Sequence, residues 1–204
     1  MKQRQRLTRE QSKDQTRERL IDAAQKIFMK KGYVAASVED IAAAAGYTRG
    51  AFYSNFRSKP ELLMELLQRD HERMDRDLQA IFDEGATREQ MQARAIALYS
   101  QFFRDEDACF LLWVEAKLLA IRDAKFRTRF SAFTKEKRDY LANYIRLFSE
   151  RAGTPLQLPA ETLALGLMSL CDGVQFFRMT DPQEINEDLI ESVLAGFFSR
   201  VMFS

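Results

Sequence analysis

The sequence predicts an all-α protein, and two observations support that prediction. Apolar residues recur at helical spacing along nearly all of the 204 residues, and no segment of useful length alternates apolar and polar residues as a strand would. Glycine and proline together number only 12, too few for a turn-rich all-β protein. The chain therefore reads as about nine helices joined by short connections.

Two longer helices flank the region of greatest interest. Apolar residues share one face over residues 20–28, and this pattern stops at Gly32. Ser58 begins the fourth helix, with Glu61 completing a capping box, and that helix is predicted to end at Gly85.

Two short helices lie between them. Ser37 is the predicted N-cap of the second helix and Asp40 reaches back from its third position. Gly46 suits the left-handed conformation that ends a helix. Thr48 caps the third helix, which is predicted to extend to about Phe56.

The second half of the chain contains five further helical patterns. A capping signal at Thr87 begins one helix, and Gly153-Thr-Pro ends the third of the five. Asp181-Pro182 is the predicted start of the last helix. The predicted helices cover about 87–104, 108–121, 123–152 and 163–177, followed by the segment from 181 onward.

The composition excludes several classes of protein. The longest stretch without a charged residue has ten residues, whereas a membrane span needs about 20 apolar ones. The first ten residues are polar and lack the apolar middle of a signal peptide, so we expect a cytoplasmic protein. Cys109, Cys171 and the single His71 form no cluster, so neither a metal site nor a disulfide framework is expected.

The net charge of +1 is an average over two unlike segments. Residues 1–60 contain 13 Lys and Arg against 6 Asp and Glu, a net charge of +7. Residues 61–204 contain 18 against 24, a net charge of −6. This asymmetry favours a nucleic-acid-binding head on an acidic body, although an incidental basic arm would give the same numbers.

The two short helices have the outline of a helix-turn-helix, whose second helix enters the major groove of DNA. Arg49 offers the paired donors that match a guanine edge, and small residues at Gly50 and Ala51 permit close approach. Taken singly, each residue could also have a purely structural role as a helix cap, a turn residue or a solvated side chain. Residues predicted to contact DNA are Ser37, Thr48, Arg49, Gly50, Ala51, Tyr53, Ser54, Asn55 and Lys59.

Residues 20–63 closely resemble the DNA-binding domain of TetR-family (TetR/AcrR-like) transcriptional regulators. The resemblance covers about a quarter of the chain. It implies a helix-turn-helix domain over 13–72, with its motif at about 37–56, and a helical ligand-binding and dimerisation domain over 73–204. Many relatives have a histidine where this chain has Ser54-Asn55. The matching residues are Ala23-Ala24, Phe28, Gly32-Tyr33, Ser37-Val38, Ile41-Ala42, Ala45-Gly46, Gly50, Tyr53, Phe56, Lys59 and Leu62.

The resemblance also implies a role for each contact residue in the head. Ser37, Thr48, Tyr53 and Lys59 would contact phosphates, and Asn55 can still donate to one. Arg49, Gly50 and Ala51 would face the bases.

Two C-terminal segments, 163–177 and 189–201, are too apolar for helices with one solvent-exposed face. They are therefore predicted to pack on a second subunit. The alternative is that both lie buried within one monomer. Predicted interface residues are Leu163, Leu167, Leu170, Val174, Leu189, Ile190, Val193, Leu194, Phe197, Phe198 and Val201.

A small apolar or amphipathic ligand is expected between the helices of the body. Glu115 is an acidic residue in an apolar segment, so it reaches solvent, pairs with Lys117 or Arg122, or meets a cationic ligand. Plain core packing is the alternative for the aromatic residues. Predicted lining residues are Tyr99, Phe102, Phe103, Phe110, Trp113, Val114, Glu115, Tyr144, Asp172 and Gln175.

These observations together predict a homodimeric repressor that binds a pseudo-palindromic DNA operator and is released by a small-molecule effector, with no cofactor. An enzyme is the main alternative class, but the sequence has no GxSxG, P-loop, HExxH or dinucleotide fingerprint. A helical interaction protein that does not bind DNA would leave Arg49, Tyr53 and Asn55 without a purpose. Repression and activation are both open.

Overall fold

A computed structural model describes residues 8–81, 86–105 and 107–202. These residues form nine α-helices and a final π-helical turn, with no strand among them, so the prediction of an all-α fold is confirmed. The helices are α1 (Arg9–Lys31), α2 (Val38–Ala44), α3 (Arg49–Tyr53), α4 (Lys59–Ile81), α5 (Arg88–Asp105), α6 (Asp107–Arg122), α7 (Ala124–Ala152), α8 (Ala160–Thr180) and α9 (Glu187–Phe197), with the π turn at Phe198–Met202.

The predicted caps of α2 are confirmed. Ser37 Oγ accepts from the Asp40 N–H at 3.0 Å, and the Asp40 carboxylate accepts from the Ser37 N–H at 3.0 Å. Gly46 has φ +76°, the left-handed conformation that lets the chain turn sharply from α2 toward α3. The turn places the two short helices against each other.

Helix α3 ends at Tyr53, three residues before the predicted end. The Ala51 carbonyl accepts from the side chains of Ser54 and Asn55, both at 2.8 Å. The Asn55 N–H therefore bonds to the Phe52 carbonyl, at 2.9 Å, and the last turn tightens.

The starts of two other helices differ in detail from the prediction. Ser58 caps α4, but the Glu61 carboxylate accepts from the Arg57 N–H and not from that of Ser58, so the capping box is displaced by one residue. Helix α9 is capped by Asn186, five residues after the predicted start at Asp181, because residues 181–185 form a turn of their own. The predicted end of α4 at Gly85 lies outside the described residues.

Two apolar clusters stabilise the structure, and α7 contributes to both. The first combines residues of α1 to α4 with Leu112, Trp113 and Ala116 of α6 and with Phe126, Phe130 and Phe133 of α7. The second combines α5, α8 and α9 with the later residues of α7, from Leu141 to Phe148. The domain boundary predicted at residue 72 falls inside α4, and the first cluster extends well beyond it. Within the described residues, no helix has the length and apolar character that crossing a membrane requires.

Candidate nucleic-acid interface and buried cavity

Helix α3 is held by two aromatic anchors and presents a polar face. Phe52 and Phe56 are buried completely or nearly so in the first cluster. The Thr48 hydroxyl accepts from the Ala51 N–H at 3.3 Å, which confirms its predicted role as a cap. Thr48, Arg49, Gly50, Tyr53 and Ser54 are exposed, whereas Ser37, Ala51, Asn55 and Lys59 are partly buried.

Arg49 projects from the first turn of α3. Its side chain is 65% exposed, with Nη1 at 3.2 Å from Glu39 and the guanidinium 5.4 Å from the Tyr53 ring centroid. Tyr53 first, and then Glu39, raise the pKa of Arg49. The group is thus a permanent cation with several donors facing water.

Lys59, a predicted phosphate contact, turns its ammonium onto the α1–α2 turn. Its ammonium donates to the carbonyls of Tyr33 and Ala36, both at 2.7 Å, and to that of Val34 at 3.4 Å. It also lies 4.4 Å from the centroid of the Tyr33 ring, and burial lowers the pKa of Lys59. Because an ammonium has only three N–H donors, the geometry assigns Lys59 to the α1–α2 turn.

Glu115 of α6 holds the same turn from the other side. Its Oε1 accepts from the Tyr33 N–H at 3.2 Å. Gly32 permits this approach, since its φ of +77° turns the chain at the end of α1. Lys117, one of the partners predicted for Glu115, pairs instead with Asp172, and Glu115 is partly exposed. A backbone partner 82 residues away leaves no signal in the sequence.

Asn55 and Arg17 fix the far end of α3. The Asn55 side-chain amide donates to the Ala51 carbonyl, so its NH₂ group is turned onto its own helix. The backbone carbonyl of Asn55 accepts from Arg17 at 2.8 Å. Arg17 also pairs with Glu65 at 2.6 Å, and its guanidinium lies over the Phe56 ring. Sequence analysis missed Arg17, which lies outside the helix-turn-helix.

A cavity of about 100 Å³ lies where the two apolar clusters meet. Four predicted residues, Tyr99, Phe110, Trp113 and Asp172, line it. Side chains of α7 after Phe133 recur every three or four residues and so share one helix face. That spacing is the sequence signal that would have indicated further lining residues. The other lining residues are His71, Lys117, Thr134, Lys137, Tyr140, Leu141, Leu167, Met168 and Cys171.

The remaining predicted lining residues lie elsewhere. Val114 and Gln175 do not border the cavity, and Gln175 is fully buried. The Tyr144 hydroxyl contacts that of Tyr140 at 2.9 Å, one side chain behind the wall. The side chains of Phe102 and Phe103 lie outside the described part of the structure.

The cavity wall is aromatic but carries charge. Lys117 and Asp172 form an ion pair at 2.6 Å. The Lys137 ammonium lies 4.3 Å from the centroid of the Trp113 ring, and the Trp113 indole donates to Asp70 at 3.0 Å. Burial lowers the pKa of Lys137 and raises the pKa of Cys171 to about 12, so the thiol stays protonated.

The predicted dimer residues separate into two groups. Five of them are buried within this chain and belong to its own core: Leu163, Leu167, Ile190, Leu194 and Phe198. Leu170, Val174, Val193 and Phe197 are partly buried, and Leu189 and Val201 are exposed. Three large exposed residues of α8 were missed because they lie off the buried row: Leu165, Phe176 and Phe177.

Comparisons with known proteins agree with this architecture. Residues 20–66 match the family of bacterial regulatory proteins named tetR. The HTH-type transcriptional regulator TtgR of Pseudomonas putida is 43% identical over 70 residues, which cover 34% of this chain and 33% of TtgR. The chain therefore matches about a third of that relative's length.

Two solved structures share the fold over most of the chain. A transcriptional regulator from Saccharomonospora viridis, in complex with choline, has a TM-score of 0.74 at 21% identity and covers 92% of this chain and 97% of its own. SmeT, the repressor of a Stenotrophomonas maltophilia multidrug efflux pump, has a TM-score of 0.64 at 23% identity and covers 88% and 86%. Residues 20–66 thus match the tetR family of bacterial regulatory proteins, and the described residues share the overall fold of these two solved regulators.

Proposed function

We propose that this regulator is a homodimeric repressor that binds a pseudo-palindromic DNA operator through α3 and is released when a small molecule enters the cavity. The observation that carries the proposal is the polar face of α3, which stays exposed while Phe52 and Phe56 fix the helix from behind. Such a protein acts on the chromosome, in the cytoplasm.

Base recognition falls mainly to Arg49. Its exposed guanidinium matches the O6 and N7 acceptors of guanine in the major groove. The exposed hydroxyls of Thr48 and Tyr53 lie on the same short helix and are suited to phosphate oxygens. The ion pair with Glu39 is a surface contact, so it can be exchanged for DNA at small cost.

Dimerisation falls to the apolar residues exposed on α8 and α9. Four large apolar side chains there are between 44% and 61% exposed: Leu165, Phe176, Phe177 and Leu189. Large apolar side chains exposed together indicate an interaction surface. A two-fold dimer would place two α3 helices about 34–36 Å apart, one turn of DNA, and so would read a pseudo-palindrome.

Helix α6 is suited to couple the cavity to the head. Trp113 lines the cavity, and Glu115, two residues later, holds the Tyr33 N–H at the α1–α2 turn. A ligand releases DNA only if it binds better to a conformation in which the heads are wrongly placed. A displacement of α6 would disturb Glu115 and with it the head. The SmeT relative is described as a repressor, which favours repression over activation.

Operator selection tests the proposal. The full-length protein is incubated with fragmented genomic DNA, bound fragments are sequenced, and affinity is measured against salt concentration. A pseudo-palindromic site whose affinity falls steeply with salt supports the model, because phosphate contacts release counterions. A monomer in solution, or binding without sequence preference, would contradict it. A reporter gene behind the selected site distinguishes repression from activation.

A further inference from the structure

We propose that the cavity takes a small carboxylate with an aromatic or otherwise apolar body, and that Lys137 receives the carboxylate. The ligand's identity as the effector rests on the proposed function, whereas its chemical class rests on the cavity alone. Lys117, Lys137 and Asp172 line the cavity, and Asp70 lies behind its wall, where it accepts from the Trp113 indole.

Lys137 is the cation in the cavity wall that makes no direct ion pair, because the two carboxylates that act on it, Asp70 and Asp172, are bonded to Trp113 and Lys117. Lys117 is neutralised by Asp172 at 2.6 Å. Among the side chains that the structure describes, no carboxylate comes within 4.0 Å of the Lys137 ammonium. Its close contact is the face of Trp113, and burial penalises its charged form. A ligand carboxylate would supply the charge-assisted hydrogen bond that the side chain lacks.

Shape and lining define the rest of the ligand. Tyr99, Phe110, Trp113 and Tyr140 surround a space of about 100 Å³. A dry cavity of roughly 150 Å³ is known to accept benzene, so this one suits a single ring or a short branched chain with little expansion. Cys171 also lines it, but its raised pKa keeps it from acting as an anion.

A cationic ligand fits poorly. Among the aromatic rings that line the cavity, tryptophan attracts a cation most strongly, and Lys137 already occupies the face of Trp113. Asp172, the carboxylate in the wall, is engaged by Lys117. The related Saccharomonospora viridis regulator is solved with choline, a cation. Ligand charge is thus a property in which we expect this chain to differ from that relative.

Trp113 provides a direct readout because it is the chain's single tryptophan. Benzoate, benzamide and benzylamine present one ring with a negative, neutral or positive group, and each is titrated into the full-length protein while indole fluorescence is recorded. We expect saturable binding of benzoate and at least about tenfold weaker binding of the other two, since a hydrogen bond to a charged group contributes about 1.5–3 kcal/mol.

Lys137→Met tests the receiving residue, and Lys135→Met is its matched control. Lys135 lies two residues away on α7, is 68% exposed and pairs with Asp139. We expect Lys137→Met to weaken benzoate binding by about tenfold or more and Lys135→Met to leave it unchanged. Circular dichroism checks folding, and if Lys137→Met does not fold, the comparison of the three probes on the natural chain decides.

Three results would overturn the inference: no saturable benzoate binding up to about 10 mM, benzylamine binding as tightly as benzoate, or full benzoate affinity in folded Lys137→Met. Operator binding is measured separately with and without benzoate. Benzoate that binds without releasing operator supports the ligand class and refutes its role as effector. Failure to bind any operator refutes the proposed function and leaves the ligand class standing.

Discussion

Replacing Lys59 with Met separates a structural role from a DNA-binding one. The substitution keeps the length of the side chain and removes the ammonium that donates to Tyr33, Val34 and Ala36. Hydrogen bonds to charged groups contribute about 1.5–3 kcal/mol each, and two of these three are short. Because the ammonium is partly exposed, water recovers part of this, so we expect a loss of about 2 kcal/mol in the free energy of unfolding.

Urea denaturation at one fixed protein concentration measures this loss. With a slope of about 2–3 kcal/mol/M, the midpoint should fall by about 0.7–1 M. Lys30→Met is the control, since Lys30 is exposed at the end of α1 and should change the free energy by less than about 0.5 kcal/mol. The salt dependence of operator binding should keep its slope in Lys59→Met. An unchanged midpoint together with a slope reduced by about one would refute the reasoning and restore Lys59 as a phosphate contact.

Three further predictions concern Arg49, Phe177 and Asp40. Arg49→Ala should weaken operator binding by about tenfold or more and relax the preference at one base pair, and Arg129→Ala is the control. The prediction is contradicted if the natural chain binds operators with any of the four base pairs at that position equally well. Phe177→Glu, at a position 61% exposed on α8, should yield monomers in analytical ultracentrifugation, whereas Ile121→Glu, 71% exposed on α6, should leave dimers intact; monomers from both would contradict the proposed interface. Asp40 should contribute to stability only in its charged form, because its hydrogen bonds from Lys31 and Ser37 hold its pKa below the ordinary value. That contribution is complete above about pH 4 and disappears as the pH falls further, so the advantage of the natural chain over Asp40→Asn should shrink in acid; a constant difference in unfolding midpoint across this range would disprove it.

The parts of the fold that sequence could predict are those decided by neighbouring residues. Ser37 and Asp40 lie three residues apart, and their reciprocal bonds follow from that spacing. Gly46 and Thr48 likewise mark a turn and a cap through their own conformational and hydrogen-bonding preferences. The helix count and the all-α class follow from many such local signals acting together.

The parts that sequence could not predict depend on distant backbone groups. The Lys59 ammonium donates to carbonyl oxygens 23 to 26 residues earlier, and no pattern of side chains reveals those partners. Glu115 meets an N–H group 82 residues earlier. The apolar residues of α8 were identified correctly as unusual, but which ones face inward depends on how α7 packs. Leu163 therefore proved to be core, whereas Phe177 is exposed.

The first apolar cluster has a consequence for the construction of chimeric regulators. Leu112 and Ala116 of α6 and Phe126, Phe130 and Phe133 of α7 complete the core beneath α1 to α4. A fragment ending at residue 72 would lack all five side chains and leave apolar surface against water. A transplantable reading head therefore comprises the N-terminal helices together with α6 and the first part of α7, and a hybrid gene joined inside α4 would need a donor body with matching side chains. The N-terminal helices and the two helices behind them thus share one apolar core.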